Sequence, residues 1–167
     1  MLILIPSVGA QESTTASEYR VPDQVLVDIV DAPLTPAVSL SPDNAWMVQL
    51  QLTSYVPIAE LAERELKLAG LRIKPSVNGP SRMRHYRGLT FVSMSDLREV
   101  PVTGLPGEPR LSGVAWSPDS RRILFTHTTS HGIELWVADV ETGVANRLTE
   151  PTLNLTVADF PRWLSDS

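Results

Sequence analysis

Residues 114–149 read VAWSPDSRRILFTHTTSHGIELWVADVETGVANRLT, and this stretch decides the fold. It opens on a turn, Ser117-Pro118-Asp119-Ser120. Proline presets φ for the second position of a type I turn, and Asp119 can accept a hydrogen bond from the backbone two residues on. Arg122-Ile123-Leu124-Phe125-Thr126 is β-branched and aromatic and reads as a strand. A polar connection leads to a second strand, Ile133-Glu134-Leu135-Trp136-Val137-Ala138. Asp139, Glu141, Thr142 and Gly143 then form a turn, with Gly143 suited to positive φ. Val144 onward alternates apolar and polar residues, as an outer strand does. The middle strands are apolar on both faces, which suits a sheet packed between two neighbours.

The pattern recurs. Val38-Ser39-Leu40-Ser41-Pro42-Asp43-Asn44 lines up with Val114-Ala115-Trp116-Ser117-Pro118-Asp119-Ser120, and Arg162-Trp163-Leu164-Ser165-Asp166-Ser167 is a weaker third copy. The interval from Asp119 to Asp166 is about 47 residues, the length of a propeller blade. The expected fold is therefore all-β: an incomplete β-propeller of about two four-stranded antiparallel blades and the start of a third. Blade one spans about 37–104 with an insertion at 54–87, blade two about 111–150, and blade three begins at 158–167.

The insertion carries the departures from the repeat. Ile58, Leu61, Ala62, Leu66 and Ala69 fall on one helical stripe, behind a first-turn Pro57 and ahead of Gly70 as a stop. Glu60/Arg64 and Glu63/Lys67 have favourable i,i+4 spacing. One inserted α-helix is expected near 57–69. Residues 71–87 read as an irregular basic loop containing Arg72, Lys74, Arg82, Arg84, His85 and Arg87. A solvated loop paired with surface carboxylates is the plain reading. The sharper one is a site for a carboxylate, which arginine's planar fork grips with two hydrogen bonds.

Composition bounds the rest. The 167 residues are 43% hydrophobic and 20% charged, which argues for a folded chain. A net charge of −5 leaves no basic footprint, so no nucleic acid partner is expected. No apolar run reaches about 18 residues, so no membrane span is expected. Residues 1–10, an apolar run followed by small residues, read as the remnant of a secretory signal, and place the protein as secreted or periplasmic. Residues 11–36 form an N-terminal leader, polar at first; the apolar run Gln24-Val25-Leu26-Val27-Asp28-Ile29-Val30 within it suits a short helix or a strand.

No G-x-S-x-G elbow, phosphate loop, H-E-x-x-H or CxxC occurs, so no cofactor and no metal are expected. His127 and His131 lie on a strand end and in a loop, and read as exposed or hydrogen-bonded loop histidines, not a metal site. Asp119 and Asp139 read as turn formers. Trp46, Trp116, Trp136 and Trp163 recur with the repeat and read as core.

These residues resemble a known family. The Ser-Pro-Asp turns, with the strand from Ile133 to Asp139, resemble the propeller of prolyl oligopeptidase family serine peptidases. Leu66-Lys67-Leu68-Ala69-Gly70-Leu71-Arg72-Ile73-Lys74-Pro75, Asn78-Gly79-Pro80-Ser81-Arg82 and Val27-Asp28-Ile29-Val30-Asp31-Ala32-Pro33 resemble its glutamyl endopeptidase-like branch. The resemblance implies an N-terminal propeller that gates peptide access to a C-terminal α/β-hydrolase domain. That domain, the partner of this portion along with peptide substrates, holds the serine, aspartate and histidine of the triad and is missing here. No catalytic residue is therefore named, and this chain alone is expected to be inactive. Cleavage after glutamate needs a cationic pocket, for which Arg72 and Arg82 are the candidate substrate-binding residues. The alternative is a non-enzymatic TolB-like propeller module that binds protein partners.

Overall fold

The computed structural model describes residues 22–157 and 160–165. The expected signal remnant at 1–10, and the leader up to residue 21, lie outside them. The chain divides into two compact units between Ala32 and Pro33. In the first, the open choice for the apolar run resolves to a helix, α1 (Gln24–Val30), with Val25, Leu26, Ile29 and Val30 exposed.

The second unit is all-β, built mostly from one eight-stranded antiparallel sheet. β1 (Ala37–Leu40) pairs with β2 (Trp46–Leu52), with Ser39 opposite Val48. β2 pairs with β6 (Tyr86–Ser93), and β6 with β7 (Glu99–Pro101). Four more strands repeat this order: β8 (Leu111–Trp116), β9 (Arg122–Thr128), β10 (Ile133–Asp139) and β11 (Ala145–Arg147). The two four-stranded groups join through Tyr86 opposite Leu111 and a bridge between Thr103 and Val144.

The repeated turns form as their chemistry dictates. Ser117 Oγ donates to Asp119 Oδ1 (2.6 Å), and Arg121 N donates to the same oxygen (3.1 Å). The first copy repeats this: Ser41 Oγ to Asp43 Oδ1 (2.6 Å) and Ala45 N to Asp43 Oδ1 (3.0 Å). In both turns the hydroxyl bond, followed by the backbone bond, holds the aspartate below its ordinary pKa. Asp139 likewise accepts from Thr142 N and Oγ1, so all three aspartates serve turns.

Both groups bury their side chains in one core. Val48, Leu50, Leu89 and Phe91 come from the first group, and Leu111, Ile123, Phe125 and Ala138 from the second. Phe91 and Phe125 are fully buried. Trp116 tilts against Phe91 at 5.9 Å, and Trp136 stacks on Phe125 at 6.4 Å. With Trp46, they are half-buried margins of the core. Trp163 donates to the Ala115 carbonyl (3.0 Å), within a segment, 160–165, that carries no strand.

The inserted helix near 57–69 is corrected. Only one turn forms, α2 (Ile58–Leu61). The chain then enters a second sheet of three strands, β3 (Leu66–Leu68), β4 (Leu71–Lys74) and β5 (Gly79–Pro80). Gly70 is the reason. It follows Ala69, and both have positive φ (86° and 47°), the backbone of a tight hairpin turn. A helix stop and a hairpin turn make the same demand on glycine, and here the hairpin wins. The basic loop expected at 71–87 is accordingly sheet in part.

The insertion docks on the second group. Val77, Ile133 and Leu155 form a separate buried cluster, with Leu153 and Phe160 packed on it. Leu155 N donates to the Asn78 carbonyl (2.8 Å). A Cβ on Gly79 would meet Ile133 Cδ1 at 2.6 Å, so β5 approaches β10 as closely as glycine permits.

Candidate functional site

Arg72 and Arg82, far apart in a helix-and-loop reading, are brought together by the β3–β4–β5 sheet. Both bind one carboxylate, that of Glu65, which precedes β3. Arg82 approaches it side-on, with Nε to Oε2 at 2.9 Å and Nη2 to Oε1 at 3.2 Å. Arg72 Nη1 donates to Oε1 (2.5 Å), and Ser81 Oγ donates to Oε2 (3.0 Å). Lys67 Nζ stands 3.7 Å from Oε1. Burial raises the Glu65 pKa, but the Ser81 hydroxyl and the two guanidinium charges outweigh it and hold the carboxyl below its ordinary range.

The other basic residues of the insertion go elsewhere. Lys74 is buried and pairs with Glu63 (2.6 Å). His85 is buried beside Arg110, whose Nη2 lies 3.5 Å from His85 Nε2 and 2.5 Å from Glu60 Oε2. Burial, and then the charges of Arg110, Lys74 and His127, push the His85 pKa down to about 4. Its Nδ1 is buried without a hydrogen-bond partner. Arg84 is exposed.

Glu60, His85, Arg87 and Arg110 line a cleft of about 520 Å³. A neighbouring cleft of about 380 Å³, lined by Lys74 and His127, shares Glu63, Glu108 and Arg110 with it. His127 is hydrogen-bonded at the end of β9. It is buried, and its Nδ1 donates to the buried Glu134 (3.1 Å). Glu134 also accepts from Trp136 Nε1 (2.9 Å) and Arg147 Nη1 (3.2 Å). His127 and Glu134 are direct cross-strand partners, so laying β9 against β10 in register would have found the pair. His131 is exposed and bonded to Ser130.

Arg72, Arg82 and Ser81 present their donors to the Glu65 carboxylate, and the two clefts are lined by groups of both charges. Among the described residues, no group of three or more His, Asp or Glu is placed to hold a metal ion. No described helix is long and apolar enough to cross a membrane.

No protein-family model matches the chain. Among curated proteins it is similar to a probable glutamyl endopeptidase, chloroplastic, from Oryza sativa subsp. japonica, at 35% identity over 93% of this chain and 18% of that protein. It is also similar to a probable glutamyl endopeptidase, chloroplastic, from Arabidopsis thaliana, at 38% identity over 82% of this chain and 15% of that protein. The chain spans less than a fifth of the length of these relatives. They support a peptidase-related family for it. Both relatives are named chloroplastic, which contradicts the secreted or periplasmic expectation. The apolar run behind that expectation is short and has no basic residues before it, and such a stretch does not by itself define an export signal.

Proposed function

We propose that the chain is the N-terminal propeller portion of a serine-type, glutamyl endopeptidase-like peptidase. Its two four-stranded groups act as the first two blades. They restrict access of peptides to an α/β-hydrolase domain carried by the rest of a longer protein. Arg72 and Arg82 bind the substrate's glutamate side chain. The observation that carries the proposal is the similarity to two glutamyl endopeptidases over most of the chain. The repeated Ser-Pro-Asp turns support the blade reading. The two arginines converging on one carboxylate support the specificity.

The test takes the full-length parent protein. A fluorophosphonate probe should label a single serine outside these 167 residues, and a fluorogenic peptide should be cut after Glu and not after Gln. Short peptides should be hydrolysed while a folded protein of the same composition is spared. A parent protein that neither labels nor cleaves sinks the peptidase reading. Equal attack on the folded protein sinks the gating role.

A further inference from the structure

Glu65 sits where a ligand carboxylate would sit. Its two oxygens receive four hydrogen bonds from three side chains, Arg72, Arg82 and Ser81. Four is about the full complement a carboxylate accepts. The donors sit on, or directly after, the paired strands β4 and β5. Arg72 lies on β4, and Ser81 N donates to its carbonyl (3.0 Å), tying the end of β5 to it. Arg82 is held at φ +58°, a left-handed backbone uncommon for a residue with a side chain, which aims its guanidinium side-on at the carboxylate. Glu65 itself lies on the irregular link between α2 and β3. Of the three donors, Arg72 is on β4 and Ser81 and Arg82 follow directly on β5, while Glu65 is on a connection.

Charge and access point the same way. Lys67, Arg72 and Arg82 surround the single Glu65 carboxylate, which leaves positive charge in excess. The arginine side chains are 46% and 43% exposed, whereas Glu65 is 13% exposed. Solvent therefore reaches the donors while the resident anion is covered by them.

We infer that Arg72, Arg82 and Ser81 form a receptor for a glutamate side chain of an incoming peptide, and that Glu65 fills it in cis as a built-in competitor. This deepens the proposed glutamate preference. An acidic peptide enters by displacing Glu65 into solvent, with no bond made or broken. The tethered competitor weakens binding in proportion to its effective concentration, and removing its charge restores it.

The experiment reads binding without turnover, on the 167-residue chain. The probe is an acetylated, amidated peptide with one Glu, compared with the same peptide carrying Gln. Isothermal titration is run on the unmutated chain, on Glu65→Gln, and on Glu65→Gln combined with Arg82→Gln. Glu65→Gln should bind the Glu peptide at least about tenfold more tightly than the unmutated chain does, and should discriminate against the Gln peptide. The double variant should lose both effects. A folded Glu65→Gln chain that binds the two peptides alike overturns the receptor. If that variant does not fold, the Arg82 Nε–H resonance of the unmutated chain is followed instead. It should move with millimolar Glu peptide and not with Gln peptide, and an unmoved resonance overturns the proposal. Either negative result leaves the peptidase reading intact, because that rests on the labelled serine and cleavage in the parent protein.

Discussion

His85 should make the fold sensitive to acid in a defined window. It is the last residue before β6, and its carbonyl accepts from Thr53 N (3.1 Å), which ties its backbone to the chain just after β2. Burial comes first among the causes that lower its pKa from 6.5 to about 4, followed by the charges of Arg110, Lys74 and His127. Glu60, with Oε1 3.9 Å from Nε2, opposes them, but Arg110 holds that carboxylate more closely. Between the two pKa values the unfolded chain binds a proton that the folded chain refuses. The stability contributed by the neutral ring is therefore complete above pH 6.5 and is lost as pH falls toward 4. The loss is about 2 kcal/mol at pH 5 and approaches about 3.4 kcal/mol once both states are protonated. Urea unfolding of the unmutated chain and of His85→Gln at about pH 7.5, 6 and 5 isolates this group, because the remaining titrations are common to both. The variant should gain about 2 kcal/mol on the unmutated chain between about pH 7.5 and 5. A difference that is flat with pH, or slopes the other way, refutes the reasoning. So does a ring titration by NMR with its midpoint at or above 6.5.

Three further outcomes follow from the packing. Phe125→Ala removes a fully buried ring at the centre of the core and should cost about 3–5 kcal/mol by urea unfolding. Gly104→Ala puts a Cβ 2.8 Å from the Ala145 carbonyl at a backbone φ of +78°, and should cost about 1–3 kcal/mol while loosening the Thr103–Val144 bridge, read as faster amide exchange at Ala145. Val38 and Leu40 are 60% and 51% exposed on the edge strand β1, so Val38→Lys with Leu40→Lys should reduce self-association in sedimentation velocity.

What was legible in the sequence was local. The Ser-Pro-Asp turns close on hydrogen bonds within a few residues, Ser117 to Asp119 and Asp119 to Arg121, and such bonds are visible as motifs. The β-branched runs of the second group read correctly as strands because their partners are the next runs along the chain. The insertion misled because its bonds are distant. The pairs Glu60/Arg64 and Glu63/Lys67 are worth only about 0.2–0.5 kcal/mol each on a helix surface. In the fold Glu60 instead binds Arg110, 50 residues on, and Glu63 binds the buried Lys74. Arg72 and Arg82 were legible as candidates by residue type. Glu65 was not, because nothing in its spacing from Arg82, 17 residues away, marks it as their shared partner.

The contrast between repeat and insertion separates architecture from recognition. Where the two copies of the repeat agree, their polar groups are consumed internally. Ser41 with Asp43 and Ser117 with Asp119 make the same hydroxyl-to-carboxylate bond at the same distance, 2.6 Å. The buried polar pair Ser112 and Thr126 likewise satisfies itself (2.9 Å). Where the first group departs from the second, the accounting no longer closes. The insertion brings an orphan Nδ1 on His85, three cations on one carboxylate at Glu65, and the clefts around Arg110. The insertion that carries them docks on Ile133 and Leu155, and under the function proposed above it is there that selectivity for a charged peptide is built.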